Sequence, residues 1–181
     1  MLTVAWCGIL STHPARAYIS VRPSRYSYGI IKESGEFVIN LTTAALAKET
    51  DFAGIYTGAK VDKFAKLNLT PYKSKCVKAP SLAESPLSLE CKVFQVLESG
   101  THHVFLADVV SVSVRGDLLD KDGKIRLDKA DLMAYAHGEY FALGKKVGRF
   151  GFSTDKGGKG KPRKRSKGQA GGARGGSATK K

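Results

Sequence analysis

Long apolar runs, a cysteine framework and the common fingerprints of nucleotide binding and hydrolysis are all missing from this chain. Apolar runs such as Val104–Ala107 fall far short of the roughly 20 residues a helix needs to cross a bilayer, so no membrane association is expected. The opening MLTVAWCGIL carries neither a basic leading region nor a small-residue cleavage site and does not read as a signal peptide. Cys7, Cys76 and Cys91 are odd in number, widely spaced and free of any CxxC. That pattern argues against a disulfide frame or a zinc site and predicts reduced thiols in a cytoplasmic protein. No G-x-G-x-x-G follows a strand, and G-x-x-x-x-G-K-[ST], H-E-x-x-H and G-x-S-x-G are absent. A Rossmann cofactor site, an NTPase, a zinc protease and an α/β-hydrolase are therefore unsupported.

Acidic residues are also scarce, but unevenly so. The formal charge is +14 over 181 residues, a length that suits one domain with a real core. Residues 154–181 hold ten Lys/Arg against Asp155 alone, whereas residues 1–153 hold twenty against fifteen acids. Basicity is mostly a property of the tail. This Gly-rich segment has no large apolar residue to offset the entropy of ordering, so it is expected to be disordered, with the folded unit ending near Ser153. Its Lys161-Pro162-Arg163-Lys164-Arg165 cluster and the RGG-like Gly172–Gly176 lack an interleaved aromatic for stacking on bases. Two readings stay open: non-specific nucleic-acid contact by counterion release, and a solvated tail that aids solubility.

What is present reads as strands. Thr3–Leu10 and Ala17–Val21 are rich in β-branched and aromatic residues around a Ser-Thr-His-Pro turn. Ser24 is placed to cap a short helix through Ile31, which Gly35 ends. Glu36–Leu41 is a further strand, after which Thr43 is placed to cap a helix to about Phe52. A second short helix over Val61–Leu67 carries Val61, Phe64 and Ala65 on one face. Leu87, Leu89, Cys91 and Val93 alternate with Ser88, Glu90 and Lys92 as in a half-buried strand, and the phase slips at Phe94, the mark of a bulge or of burial on both faces. Val104–Arg115 is a long strand and Asp117–Lys124 a turn. With strands dominant, helices short and no βαβ alternation, the fold class is mainly β, a β-barrel with short helical inserts.

Six segments in order then resemble the flavin reductase-like (flavoredoxin) family. They are Thr3-Val4-Ala5-Trp6 (T-x-A-W), Arg22–Tyr28 (R-P-x-R-x-[ST]-Y), Gly35–Asn40 (G-E-F-V-x-N), Thr57–Phe64 (S-G-R-x-x-D-K-F), Gly100–Phe105 (G-x-H-x-x-F) and Tyr135–Gly144 (Y-x-x-G-x-Y-x-x-L-G). The resemblance runs from Met1 to about Ser153. It implies an FMN-binding split barrel, N-terminally shortened here, that forms a homodimer with FMN at the subunit interface. It also implies hydride transfer from NADH or NADPH to free flavin or a redox partner protein, or, alternatively, an electron carrier that reacts poorly with nicotinamides.

The family's site, carried onto this chain, implies that Arg25, Ser27 and Lys63 meet the FMN phosphate. A guanidinium fork, a hydroxyl and a point-charge ammonium suit a phosphate dianion. Thr3 and Trp6 are implied to line the ribityl chain and ring, Asn40 to supply amide contacts, and His102 to lie on the flavin or nicotinamide side as a catalytic candidate. Other roles stand beside these: a solvated helix residue for Arg25, a surface lysine for Lys63, core or interface packing for Trp6, and a strand histidine for His102. Asp108 is expected in a hydrogen bond or salt bridge, or else tuning the flavin. Three positions depart from the family pattern. Met1 falls inside the opening N-x-x-T-x-A-W motif, Ala59 replaces the motif arginine, and Ala53-Gly54 stands where the family has Cys-Gly.

Overall fold

The computed structural model describes residues 1–154, so the basic tail lies, from Asp155 onward, outside the described residues. Residues 1–145 form one compact unit, and residues 146–154 belong to another. Of the latter, residues 150–153 are turns, closed by the Phe152 N–H on the Arg149 carbonyl (3.0 Å) and the Thr154 N–H on the Gly151 carbonyl (3.0 Å).

The larger unit is mainly β with short helices. Its centre is a five-stranded antiparallel sheet built from β1 (Cys7–Thr12), β2 (Ala15–Val21), β3 (Glu36–Asn40), β6 (Leu87–Ser99) and β7 (His102–Val114), in the order β1-β2-β7-β6-β3. One sheet face buries Ala17, Ile19, Val21, Phe37, Cys91, Phe105 and Ala107, and Tyr28 and Ile31 of helix α1 (Tyr26–Ser34) close over them. The period-2 pattern of β2 produces this directly, since alternate residues of a strand share a face. Among the described residues no helix is long and apolar enough to cross a membrane.

Several boundaries differ from the sequence expectation. The first strand begins at Cys7 rather than Thr3, and Trp6 reaches β2 only through its carbonyl, which accepts the Ser20 N–H at 2.9 Å. Ser24 does not cap α1: Arg25 occupies that position, without a side-chain cap. Gly35 does end the helix, at φ 67° with its N–H on the Ile31 carbonyl, a left-handed geometry that suits glycine. Thr43 precedes a single 3-10 turn, Ala44–Leu46, before α2 (Ala47–Ile55), and its side chain caps neither. Asp62 caps α3 (Lys63–Leu67), its Oδ1 accepting from the Phe64 and Ala65 N–H groups at 3.0 and 3.2 Å. That cap starts the helix two residues late and turns Lys63 inward, so the expected apolar stripe is not what α3 buries.

The phase slip at Phe94 is a bulge: Val93 pairs with Ala107 and Gln95 with Leu106, leaving Phe94 extra. A second bulge lies at Val110 in β7, between the Glu90–Ser111 and Cys91–Val109 pairs. The expectation of a half-buried strand over Leu87–Val93 is corrected in its first part, where Ser88 and Glu90 are buried as well. Their face is covered by β4 (Pro71–Tyr72), β5 (Ser81–Leu82) and the loop between them; Ser74, Val77, Ser81 and Leu82 are buried there. A hairpin, β8 (Met133–Ala136) and β9 (Glu139–Ala142), follows. His137 and Gly138 form its two-residue turn at φ 50° and 86°, both positive as that tight connection demands.

Candidate functional site

The start of α1 is chemically open. Arg25 precedes the helix in an extended conformation, and no side chain caps it. The Tyr28 N–H reaches the Arg25 carbonyl (2.9 Å), but the Tyr26 and Ser27 N–H groups find no acceptor among the described residues. A helix start of this kind carries a partial positive charge and unsatisfied donors. Beside it lies a cleft of about 440 Å³. Tyr26, Ser27 and Ile30 form one wall, the 58–64 segment with Lys60 and Lys63 the other, and Met1 lies between them. The 58–64 segment approaches closely at Gly58, where a Cβ would lie 3.3 Å from the Tyr26 ring.

Lys63 anchors the second wall. Only 4% exposed, it donates from Nζ to the Ala53 carbonyl at the end of α2 (2.6 Å) and to the Met1 carbonyl (3.0 Å). Burial, and then the Arg25 charge, hold its pKa below the usual lysine value. Two of its three N–H donors are thus committed to backbone, and the surface-lysine reading is wrong for this residue. Ser27 and Lys63 both line the cleft, and the Arg25 guanidinium is close enough to act on Lys63. Ala59, at the motif arginine's position, is also in the lining, so the lost charge is lost at the cleft itself, although Lys60 stands next to it.

The other expected site residues lie apart from this group. Trp6 is not core: it is 58% exposed and stacks obliquely on His102, with ring centroids 4.5 Å apart. His102 Nδ1 lies 2.9 Å from the Thr101 hydroxyl. Thr3 donates to the Thr50 carbonyl of α2 at 2.5 Å and sits against Gly54, whose absent side chain permits the approach. Asn40 faces the other side of the sheet. Its Oδ1 accepts from the Leu82 N–H (3.0 Å) and the Ser88 hydroxyl (2.8 Å), which joins β5 to β3 and β6. Asp108 pairs with Arg16 at 2.8 Å, and the Arg16 guanidinium also lies over the Phe94 ring.

Two arrangements were not visible as sites in the sequence. The Tyr28 hydroxyl lies 2.7 Å from His103 Nδ1, which ties the first turn of α1 to β7 one residue from His102. The motif tyrosine was the only available signal for it. Glu90, 1% exposed, accepts from the Lys75 and Cys76 N–H groups at 3.0 and 2.6 Å. Desolvation pushes its pKa up, but the N–H groups of Lys75, Cys76 and Val77 and the Ser111 hydroxyl together hold it below the ordinary value. Cys91, by contrast, is pushed up to about 12 by burial and by the Glu90 charge, so it offers no thiolate for chemistry. Among the described residues no cluster of ligands suits a metal ion.

A five-stranded antiparallel sheet with short helical inserts is the fold shared with solved split-barrel structures of the flavin reductase type. Residues 1–144 match the family described as the flavin reductase like domain, and the chain belongs to that family. Flavoredoxin of Desulfovibrio vulgaris (Miyazaki F) has a similar structure, with a TM-score of 0.78 and 33% identity over 83% of this chain and 82% of that one. Flavoredoxin from Methanosarcina acetivorans gives 0.75 and 26%, over 83% and 82%. An uncharacterized protein of Archaeoglobus fulgidus is 38% identical over 78% of each chain.

Proposed function

We propose that this protein binds FMN with its phosphate at the start of α1, accepts hydride from NADH or NADPH, and passes reducing equivalents to free flavin or a protein acceptor. The observation that carries the reading is the pair of uncommitted N–H groups on Tyr26 and Ser27, beside the Ser27 hydroxyl, the Arg25 guanidinium and the Lys63 charge. These donors fit a phosphate dianion, which favours charge-assisted bonds and a helix start. The flavin, when bound, supplies hydride and electron transfer; the protein supplies position and charge. Arg25 and Ser27 would hold the phosphate. Lys63 fixes the second wall through Ala53 and Met1 and adds its charge. Trp6 and His102 form a second aromatic station for a ring.

A homodimer belongs to the proposal. Ile9 and Leu10 are exposed on β1, an edge strand of the sheet, and a row of unpaired edge groups with apolar side chains invites a partner. A second reading, an electron carrier that holds FMN but reacts poorly with nicotinamides, is favoured by the likeness to two flavoredoxins. Anaerobic mixing of the FMN-loaded protein with NADH or NADPH decides between them. Bleaching of the flavin's visible absorbance within seconds supports the reductase. No bleaching within minutes by either nucleotide leaves the carrier, and failure to retain FMN at all overturns both.

A further inference from the structure

Between Lys60 and Lys78 the chain carries six lysines against one acid, Asp62. Three of the six fall in the loop between β4 and β5, where Lys73, Lys75, Cys76 and Lys78 are exposed while Ser74 and Val77 are buried. The carboxylates that reach this segment bond its backbone. Glu84 accepts from the Thr70 N–H at 2.9 Å, Glu90 from Lys75 and Cys76, and Glu36 from the Lys78 N–H at 2.6 Å. The Ser74 hydroxyl adds a bond to the Ala79 carbonyl at 2.7 Å, closing the loop on itself. Among the described residues none of the three loop lysines forms an ion pair.

This is an unusual way to build a basic loop. A solvated lysine run needs no buried carboxylate beneath it, and burying one is unfavourable unless its hydrogen bonds are complete. Here Glu90 holds the loop's backbone at its centre and Glu36 at its Lys78 end, so the backbone from which the three lysines project is fixed. A loop backbone already in place forgoes part of the ordering cost of association, and exposed lysines on it steer acidic partners. The loop has no arginine fork for phosphate, and Tyr72 is the one exposed aromatic beside it, a poor platform for stacked bases.

We propose that residues 73–80 form a preorganised docking surface for an acidic protein, with Lys73, Lys75 and Lys78 as its contacts. The proposal rests on the redox reading above, in that such a partner would deliver or remove electrons. The test uses the full-length chain and an immobilised 20-residue poly-glutamate probe. Replacing Lys73, Lys75 and Lys78 together by Gln should weaken binding about ten-fold. Replacing Lys156, Lys159 and Lys161 by Gln, the same change in charge, should weaken it less than about two-fold. Glu36→Ala raises the net charge yet frees the Lys78 end of the loop, so binding should fall rather than rise. Equal losses from the two triple variants, or tighter binding by Glu36→Ala, would reduce the effect to net charge and overturn the proposal. A larger loss for a 20-residue oligo-uridylate than for poly-glutamate would assign the loop to nucleic acid instead. Flavin absorbance recorded on each sample separates the two readings: a wild-type chain that never holds FMN refutes the redox assignment, whatever the probe does.

Discussion

The two sides of the central sheet use polar residues in opposite ways. Beneath the β4–β5 segment, Asn40, Ser74, Ser81, Ser88 and Glu90 are turned to one another or to backbone, and their hydrogen bonds are made. At the start of α1, the Arg25 and Ser27 side chains and the Tyr26 and Ser27 N–H groups make no hydrogen bond among the described residues. Residue type alone does not separate the groups, since a serine and a charged residue occur in each. Buried polar groups are nearly always satisfied, as those beneath β4–β5 are; the set at the start of α1 faces solvent, where water or the proposed phosphate can complete its bonds.

Glu90→Ala should give the largest effect. It leaves two backbone N–H groups without their acceptor and should cost about 3 kcal/mol in stability by urea unfolding. FMN affinity per folded molecule should not change; a parallel loss would mean that the two faces are not independent. The same residue sets an acid limit. Its folded pKa lies below the ordinary glutamate value, so the unfolded chain binds the extra proton. Its contribution is complete above that value and is lost as pH falls through the folded pKa. The unfolding midpoint should therefore drop on acidification in the wild type, and less steeply in Glu90→Gln.

Arg25→Ala reverses the pattern, weakening FMN by about 1.5–3 kcal/mol while the melting temperature stays put, as followed by fluorescence quenching. Unchanged affinity would place the phosphate elsewhere. Asn40→Ala should cost about 1–2 kcal/mol in stability and nothing in FMN affinity, because its amide oxygen is already engaged by Leu82 and Ser88. Weaker FMN binding would instead support the amide contact expected of Asn40. Ser27→Ala is the smallest change, about 0.5–1.5 kcal/mol in FMN affinity from one hydroxyl.

Local signals in the sequence were read correctly where the physics is local. Gly35 ends α1 because a left-handed residue is needed there, and the slip at Phe94 appears as a break in period 2. The motif residues Arg25, Ser27 and Lys63 do gather at one place. What could not be read depends on partners far along the chain. Asn40 is engaged by Ser88, 48 residues on, and Lys63 by Met1, 62 residues back. Cap positions failed for a related reason: Ser24 and Thr43 have the right chemistry, but the chain enters each helix one to three residues later.

The paired bulges at Phe94 and Val110 set a limit on the dimensions of the molecule. Thirteen straight residues would span about 44 Å at strand rise, whereas a unit of this length has a radius of gyration of only about 15 Å. A straight β6–β7 hairpin would overrun its own core. Each extra residue bends its strand and tightens the twist, so the hairpin is divided into shorter arcs that curl around Phe105 and Ala107. Because the two insertions sit on opposite strands, the offset that one introduces the other removes, and both ends of the hairpin keep the same pairing frame. The curvature is thus written into two residues whose side chains need no partner in the core.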